Sequence, residues 1–246
     1  MKKELLIVLP VYNEEKNLKE VIEEVKLNID KNITDILVID DGSTDKSSEI
    51  LREIKEIKII KHENNLGYGA TLIEGFNYAI EKNYKYVITI DCDRQHQPKD
   101  IKKFFNEIKN SDYDIISGSR YLDFNPNKIL YVPPDRYKIN KKITEKLNRI
   151  TNYNLTDSFC GFKAYKVSAL KRLKLNEKGY GMPVQLWVEA FKNKLKVKEI
   201  AVELIYLDFT KNFNNNFKSI LERYRYYLKV LEKSLKDENF SDITTS

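Results

Sequence analysis

The feature that most constrains this chain is a repetition through its first half: a short, continuous apolar run, then a segment with apolar residues at helical spacing. Residues 5–9 form such a run, the pattern of a strand buried on both faces. In 14–30 the residues Leu18, Val21, Ile22, Val25 and Ile29 then recur at helical intervals. The alternation continues with strands over 35–39, 57–60, 86–90 and 113–117 and helices over 45–54, 69–82 and 98–109, the last opened by Pro98. Repeated βα units fold as an α/β, doubly wound, mostly parallel sheet with helices on both faces. In such sheets ligands sit beyond the carboxyl ends of the strands.

After Tyr121 the regularity fails. Turn signals at 125–127 and 132–135 precede a helix over 136–150, a short strand over 160–165, a helix over 182–194, a strand over 197–206 and a helix over 217–235. No linker separates domains, so residues 1–236 are expected to form one domain. Its regular βα half would be 1–121 and its less regular half 122–236, with 237–246 a frayed polar tail.

The charge balance excludes some functions. With 43 Lys and Arg against 37 Asp and Glu, the net charge of +6 is mild and the signs are interspersed, which reads as solvated surface rather than a nucleic-acid-binding tail. No nucleic-acid partner is expected, since the strand ends are acidic and would repel phosphates. Two cysteines, Cys92 and Cys160, are too few for a disulfide framework and wrongly spaced for zinc. No stretch is long and apolar enough for a membrane span. The expected location is the cytoplasm, with at most peripheral contact on the membrane face.

The strand ends carry the chemistry. Pro10-Val-Tyr-Asn-Glu14 follows the first strand, Asp40-Asp-Gly-Ser-Thr-Asp45 the second and Asp91-Cys-Asp-Arg-Gln-His-Gln-Pro98 the fourth. Asp91 and Asp93 flank a small residue after a buried strand, where a turn can aim both carboxylates at a hard divalent cation. An isolated Asp-X-Asp could equally cap the helix at Pro98. Asp40-Asp41 at a neighbouring strand end argues for the cation, as does Asn65-Leu-Gly-Tyr-Gly69, whose glycines let backbone amides approach a phosphate. For Pro10, Asn13 and Gly42, turn chemistry alone is the alternative. Together these features suggest a nucleoside diphosphate ligand.

The segments Val8-Leu-Pro-Val-Tyr-Asn-Glu14, Ile39-Asp-Asp-Gly-Ser-Thr-Asp45, Asn65-Leu-Gly-Tyr-Gly-Ala70, Asp91-Cys-Asp and Gly118-Ser-Arg-Tyr121, in this order, resemble family 2 glycosyltransferases of the GT-A fold. Asp91-X-Asp-X-Gln-His96 and Asp157-Ser-Phe-Cys-Gly-Phe162 are similar to the dolichyl- and polyprenyl-phosphate mannosyl- and glucosyltransferases. The resemblance implies that Pro10, Tyr12 and Glu14 line a base pocket, with Asp41 accepting from the base and Asp40 nearby. It also implies that Asp91, Asp93 and Gln95 hold Mg2+ or Mn2+ on a UDP- or GDP-sugar, and that transfer with inversion depends on Asp93.

The Glu-Asp pair that supplies a base in many relatives is absent, which favours an acceptor that is already an oxyanion, a polyprenyl phosphate. Arg120 and Arg136 are then candidate phosphate clamps, although Arg136 could as easily be a surface residue. The subgroup's late Arg-X-X-Gly-X-Ser-Lys stretch is missing. Lys211, in Asp208-Phe-Thr-Lys-Asn-Phe213, is the candidate substitute. Asp157 is either a base for a hydroxyl acceptor or the N-cap of a turn. His96 could touch the sugar or bond at the helix start. The segment 217–236 carries Lys218, Arg223, Arg225, Lys229, Lys233 and Lys236 among apolar residues, so it either lies on an anionic membrane or packs on the domain with a solvated basic face. The rival enzyme is a glycosyltransferase acting on a glycan or small-molecule hydroxyl. A nucleotidyltransferase should show a Gly-rich, Lys-containing turn after the first strand, which Pro10-Val-Tyr-Asn-Glu14 is not.

Overall fold

A computed structural model of the chain describes residues 3–123, 132–205 and 219–236. Alternate side chains of β1 (Leu5–Val11) enter two different cores, which is why the run is continuously apolar. Leu6 and Val8 pack into one core with Leu72 and Phe76 of α3 (Tyr68–Glu81), Ile143 of α5 (Pro134–Thr151) and Trp187 of α7 (Met182–Lys192). Leu5, Ile7 and Leu9 pack into the other with Val21 and Ile22 of α1 (Leu18–Leu27), Leu51 of α2 (Ser47–Glu53) and Phe104 of α4 (Ile101–Asn110).

The remaining strands are β2 (Thr34–Asp40), β3 (Lys58–Lys61), β4 (Tyr86–Thr89), β5 (Ile115–Ser119), β6 (Lys163–Lys166) and β7 (Val197–Ala201). They form one seven-stranded sheet in the order β3-β2-β1-β4-β6-β5-β7. Six strands run the same way, and β6 is antiparallel to both of its neighbours, pairing Lys163 with Thr89 of β4 and with Ser117 of β5. This is the doubly wound sheet expected from the βα alternation, with one reversed strand set into its middle.

The structure departs from the sequence reading in several places. Pro98 opens a single 3-10 turn (Pro98–Asp100) before α4 rather than the α-helix itself. The last strand stops at Ala201, short of the expected 206. A short α6 (Val167–Leu170) follows β6 directly, where the sequence carries no cap signal. α8 (Ile220–Lys236) lays Arg223, Tyr227, Val230, Leu231 and Leu235 inward against α5 and α7. It therefore packs on these two helices and turns Arg225, Lys229, Lys233 and Lys236 to solvent. No helix among the described residues is long and apolar enough to cross a membrane. The tail at 237–246 and Lys211 lie outside the described residues.

Candidate active site

The carboxyl ends of β1, β2, β4 and β5 open on one cleft of about 740 Å3. Its first wall is two turns laced together. Asn13, in the left-handed region at φ 56°, accepts the N–H of Thr44 (2.8 Å) through its side-chain oxygen, and Ser43 and Ser47 accept the N–H groups of Asn13 and Glu14 (3.0 and 2.9 Å). Asn13 thus does turn chemistry and lines the cleft together with Pro10, Tyr12 and Glu14, with Tyr12 45% exposed as a flat aromatic surface.

The neighbouring aspartates part company. Asp40 is buried, accepts the N–H of Ser43 (2.9 Å) and the hydroxyl of Ser48, and does not line the cleft. The expectation that it sits near the base is corrected: at the end of β2 successive side chains alternate in direction, and this one is spent on its own turn. Asp41 does line the cleft, but its carboxylate accepts the backbone N–H groups of Leu66 (2.8 Å) and Gly67 (2.9 Å) and bonds His62. Its main task is to hold the 65–67 turn. Gly69 is also corrected. A Cβ there would lie 2.2 Å from the Glu177 carbonyl oxygen, so this glycine lets α3 start against the 177–182 segment and is not among the residues facing the cleft.

Asp91, Asp93 and Gln95 line the cleft floor beyond β4. Tyr68 donates to Asp91 Oδ1 (3.3 Å), His96 Nε2 lies 3.3 Å from Asp91 Oδ2, and the Gln95 N–H donates to Asp93 Oδ1 (3.0 Å). Burial would raise the Asp91 carboxyl, but His96, buried Lys163 and Tyr68 outweigh it and hold it below the usual range, so it stays ionised. Opposite stands Gly161, where a Cβ would lie 2.1 Å from Asp91 Oδ2; the missing side chain leaves that carboxylate its room. The donors are oxygen-rich, and among the described residues no three acidic, His or Cys groups close on a single point. That set fits Mg2+ or Mn2+ of the kind bound by one or two carboxylates and completed by substrate phosphates.

The other wall carries the cations. Arg120, just past β5, donates to Asp157 through its backbone N–H (3.2 Å), Nε (2.6 Å) and Nη2 (3.0 Å). Asn140 of α5 donates to the same carboxylate (2.7 Å). Burial opposes ionisation of Asp157, yet the guanidinium and these donors pull its pKa down to about 2. A fully buried carboxylate this acidic and this fully bonded is no general base, so that alternative for Asp157 is corrected: it is the counterion that aims Arg120. Arg120, Arg136 and Arg223 all reach the cleft, Arg223 donating to Asp135 (3.0 Å).

Sequence reading missed Arg223, assigning it to a basic face. The signal was present, since Tyr227, Val230 and Ser234 follow Arg223 at helical spacing on the buried side. It also missed Tyr68, stacked with Tyr180 at 5.9 Å over the cleft, and the His62–Glu74 pairing, for which local sequence carries no signal.

The model of the family described as Glycosyl transferase family 2 matches residues 6–174. This chain belongs to that family. It is 31% identical over 224 residues to the UDP-N-acetylglucosamine--dolichyl-phosphate N-acetylglucosaminyltransferase of Methanococcus voltae, covering 84% of this chain and 87% of that protein. To the polyprenol monophosphomannose synthase of Mycolicibacterium smegmatis it is 25% identical, covering 80% and 76%. Glucosyl-3-phosphoglycerate synthase from Mycobacterium tuberculosis, solved with UDP, superposes with a TM-score of 0.75 at 16% identity, covering 96% of this chain and 82% of that one. The architecture is the GT-A fold, and the chain is a family 2 glycosyltransferase.

Proposed function

We propose that this enzyme transfers a sugar from a UDP- or GDP-sugar to a polyprenyl phosphate, with inversion and with Mg2+ or Mn2+ bound at Asp91, Asp93 and Gln95. The observation that carries the acceptor is the division of charge across the cleft. Among the described residues its carboxylates, Glu14, Asp41, Asp91 and Asp93, all stand at the ends of β1, β2 and β4, while the opposite wall presents Arg120, Arg136 and Arg223. That wall has no carboxylate able to take a proton from a hydroxyl, and it suits an acceptor that arrives as an oxyanion. The two relatives named for dolichyl phosphate and polyprenol monophosphomannose support the same acceptor class.

Tyr12 offers a stacking face to the base and the Asp41-held turn presents backbone to the diphosphate. Asp91, Asp93 and Gln95 would hold the cation, which would supply charge neutralisation on the departing nucleoside diphosphate. Arg120, preset by Asp157, orients the acceptor phosphate for in-line attack on the sugar carbon. Ile220 and Leu221, over half exposed at the start of α8, offer apolar contact to a lipid chain or membrane surface beside Arg223. Lys211 stays a candidate acceptor or diphosphate contact.

The test is transfer from UDP- and GDP-sugars to detergent-solubilised polyprenyl phosphate, to the matching polyprenol and to sugar alcohols. Product on the phosphate alone is expected. Transfer to the alcohols and not to the phosphate would replace this reading with the hydroxyl-acceptor one.

A further inference from the structure

His62 follows edge strand β3 and is buried, yet both of its ring nitrogens face carboxylates. Nδ1 lies 2.6 Å from Asp41 Oδ1, and Nε2 meets Oε2 of Glu74 on α3. A neutral imidazole has one donor and would set a lone pair against one of these carboxylates; only the imidazolium satisfies both. Asp41 in turn fixes the N–H groups of Leu66 and Gly67, and Gly67 sits at φ +104°, a conformation held by its surroundings. This turn also lies backbone to backbone on the 40–43 turn, where a Cβ on Gly42 would come within 2.6 Å of the Asn64 carbonyl carbon. Asn65, Gly67 and Tyr68 face the cleft.

We propose that His62 is a positioning residue for the donor: held as an imidazolium between Asp41 and Glu74, it keeps the Asp41 carboxylate on the 65–67 turn and so shapes the nucleotide side of the cleft. The inference rests on the reading that this cleft takes a nucleoside diphosphate. Asp41 and Glu74 are the charged side chains bonded to the ring; Asp40 is engaged by Ser43 and Ser48. Burial disfavours the imidazolium, but the two carboxylates outweigh it and raise the His62 pKa above its ordinary value. Glu74 is 40% exposed at its side chain, so the ring can exchange its proton with water without opening the core. The sign follows: the brace is complete below the raised pKa and is lost as pH rises through it, so donor affinity falls toward alkaline pH.

With only two histidines in the chain, the imidazole resonances can be assigned by comparing wild type with His62→Gln. Binding of UDP and GDP is measured by calorimetry between about pH 6 and about pH 9, alongside kcat at saturating donor. Wild-type affinity is expected to fall about fivefold across the inflection that NMR reads for His62. Glu74→Gln should move both inflections to lower pH together, and His62→Gln should bind weakly with only the nucleotide's own phosphate titration remaining. Throughout, kcat should change by less than about twofold. Wild-type affinity in His62→Gln, or a pH dependence identical to wild type, overturns the inference while leaving the nucleotide reading intact. Failure of wild type to bind either nucleotide at any pH overturns both.

Discussion

The two walls of the cleft use the same residue type in opposite ways. At the ends of β1, β2 and β4, carboxylates are the working surface: Asp91 and Asp93 line the floor with neutral Tyr68 and Gln95 as donors, beside the His96 ring. Across the cleft the carboxylates have withdrawn behind the cations, Asp157 behind Arg120 and Asp135 beside Arg223. This suits the proposed division of labour, with anions kept facing the cavity where a cation would bind and cations set in place beforehand where an acceptor anion would bind. Preorganisation costs differ accordingly. The first wall gathers four carboxylates, Glu14, Asp41, Asp91 and Asp93, around one cavity, whereas in the second Asp157 and Asp135 are each matched by an arginine.

The largest effect expected from breaking this contrast is at Asp93. Asp93→Asn should lower kcat by about 10^3-fold or more with little change in melting temperature, since Asn keeps a side-chain oxygen for the Gln95 N–H and loses only the charge proposed to hold the cation. Activity within a few-fold of wild type in a transfer assay with added Mn2+ would erase the distinction between the walls. Next comes Arg120→Met, which strands a buried carboxylate and should cost about 3–5 kcal/mol in urea unfolding, with much of the loss recovered when Asp157→Asn is added. The same pair carries a pH signature. Asp157 is held to about 2 in the folded chain, below its unfolded value, so its contribution of about 2 kcal/mol is complete above roughly pH 4 and is lost as pH falls toward 2. An acid limb unchanged in Asp157→Asn would contradict the lock.

Arg223→Ala sharpens the comparison from the acceptor side. Acceptor KM should rise about tenfold with donor KM unmoved, the cost of one charge-assisted contact; equal changes in both would make Arg223 a structural partner of Asp135 alone. The smallest effect is at Tyr12, where replacement by Ala should weaken UDP or GDP by about 1 kcal/mol through lost stacking, read by calorimetry. No change would remove Tyr12 from the nucleotide wall.

How much of this was legible in the sequence follows the distance over which each feature is determined. The strands at 5–9 and 35–39 and the turns after them are local patterns, and they stand where the spacing puts them. Asp40 and Asp41 are adjacent, and only the direction of the strand end tells which one enters the cleft. Arg120 and Asp157 are 37 positions apart, Arg223 and Asp135 are 88 apart, and no periodicity encodes pairs of that kind. Asp157 could be located by resemblance, but its role depends on burial and on Asn140, neither of which a linear pattern reveals.

The reversed strand β6 has a consequence for how the chain is made. β4 and β5 are joined by one helix, but they do not pair with each other; each waits for β6, with Tyr86 opposite Lys166 and Ile115 opposite Tyr165. A chain emerging from the ribosome through Ser119 can assemble β3-β2-β1-β4, yet it must carry an open edge on β4 and an unpaired β5 until residue 166 is available. Closing that seam is the long-range event of folding, and the exposed edge is where an unfinished chain is prone to aggregate. Insertion of β6 also carries Gly161 up against Asp91 and places Asp157 beside Arg120. The room around Asp91 and the Asp157 brace on Arg120 are therefore set in the same event, and a chain truncated before β6 has neither.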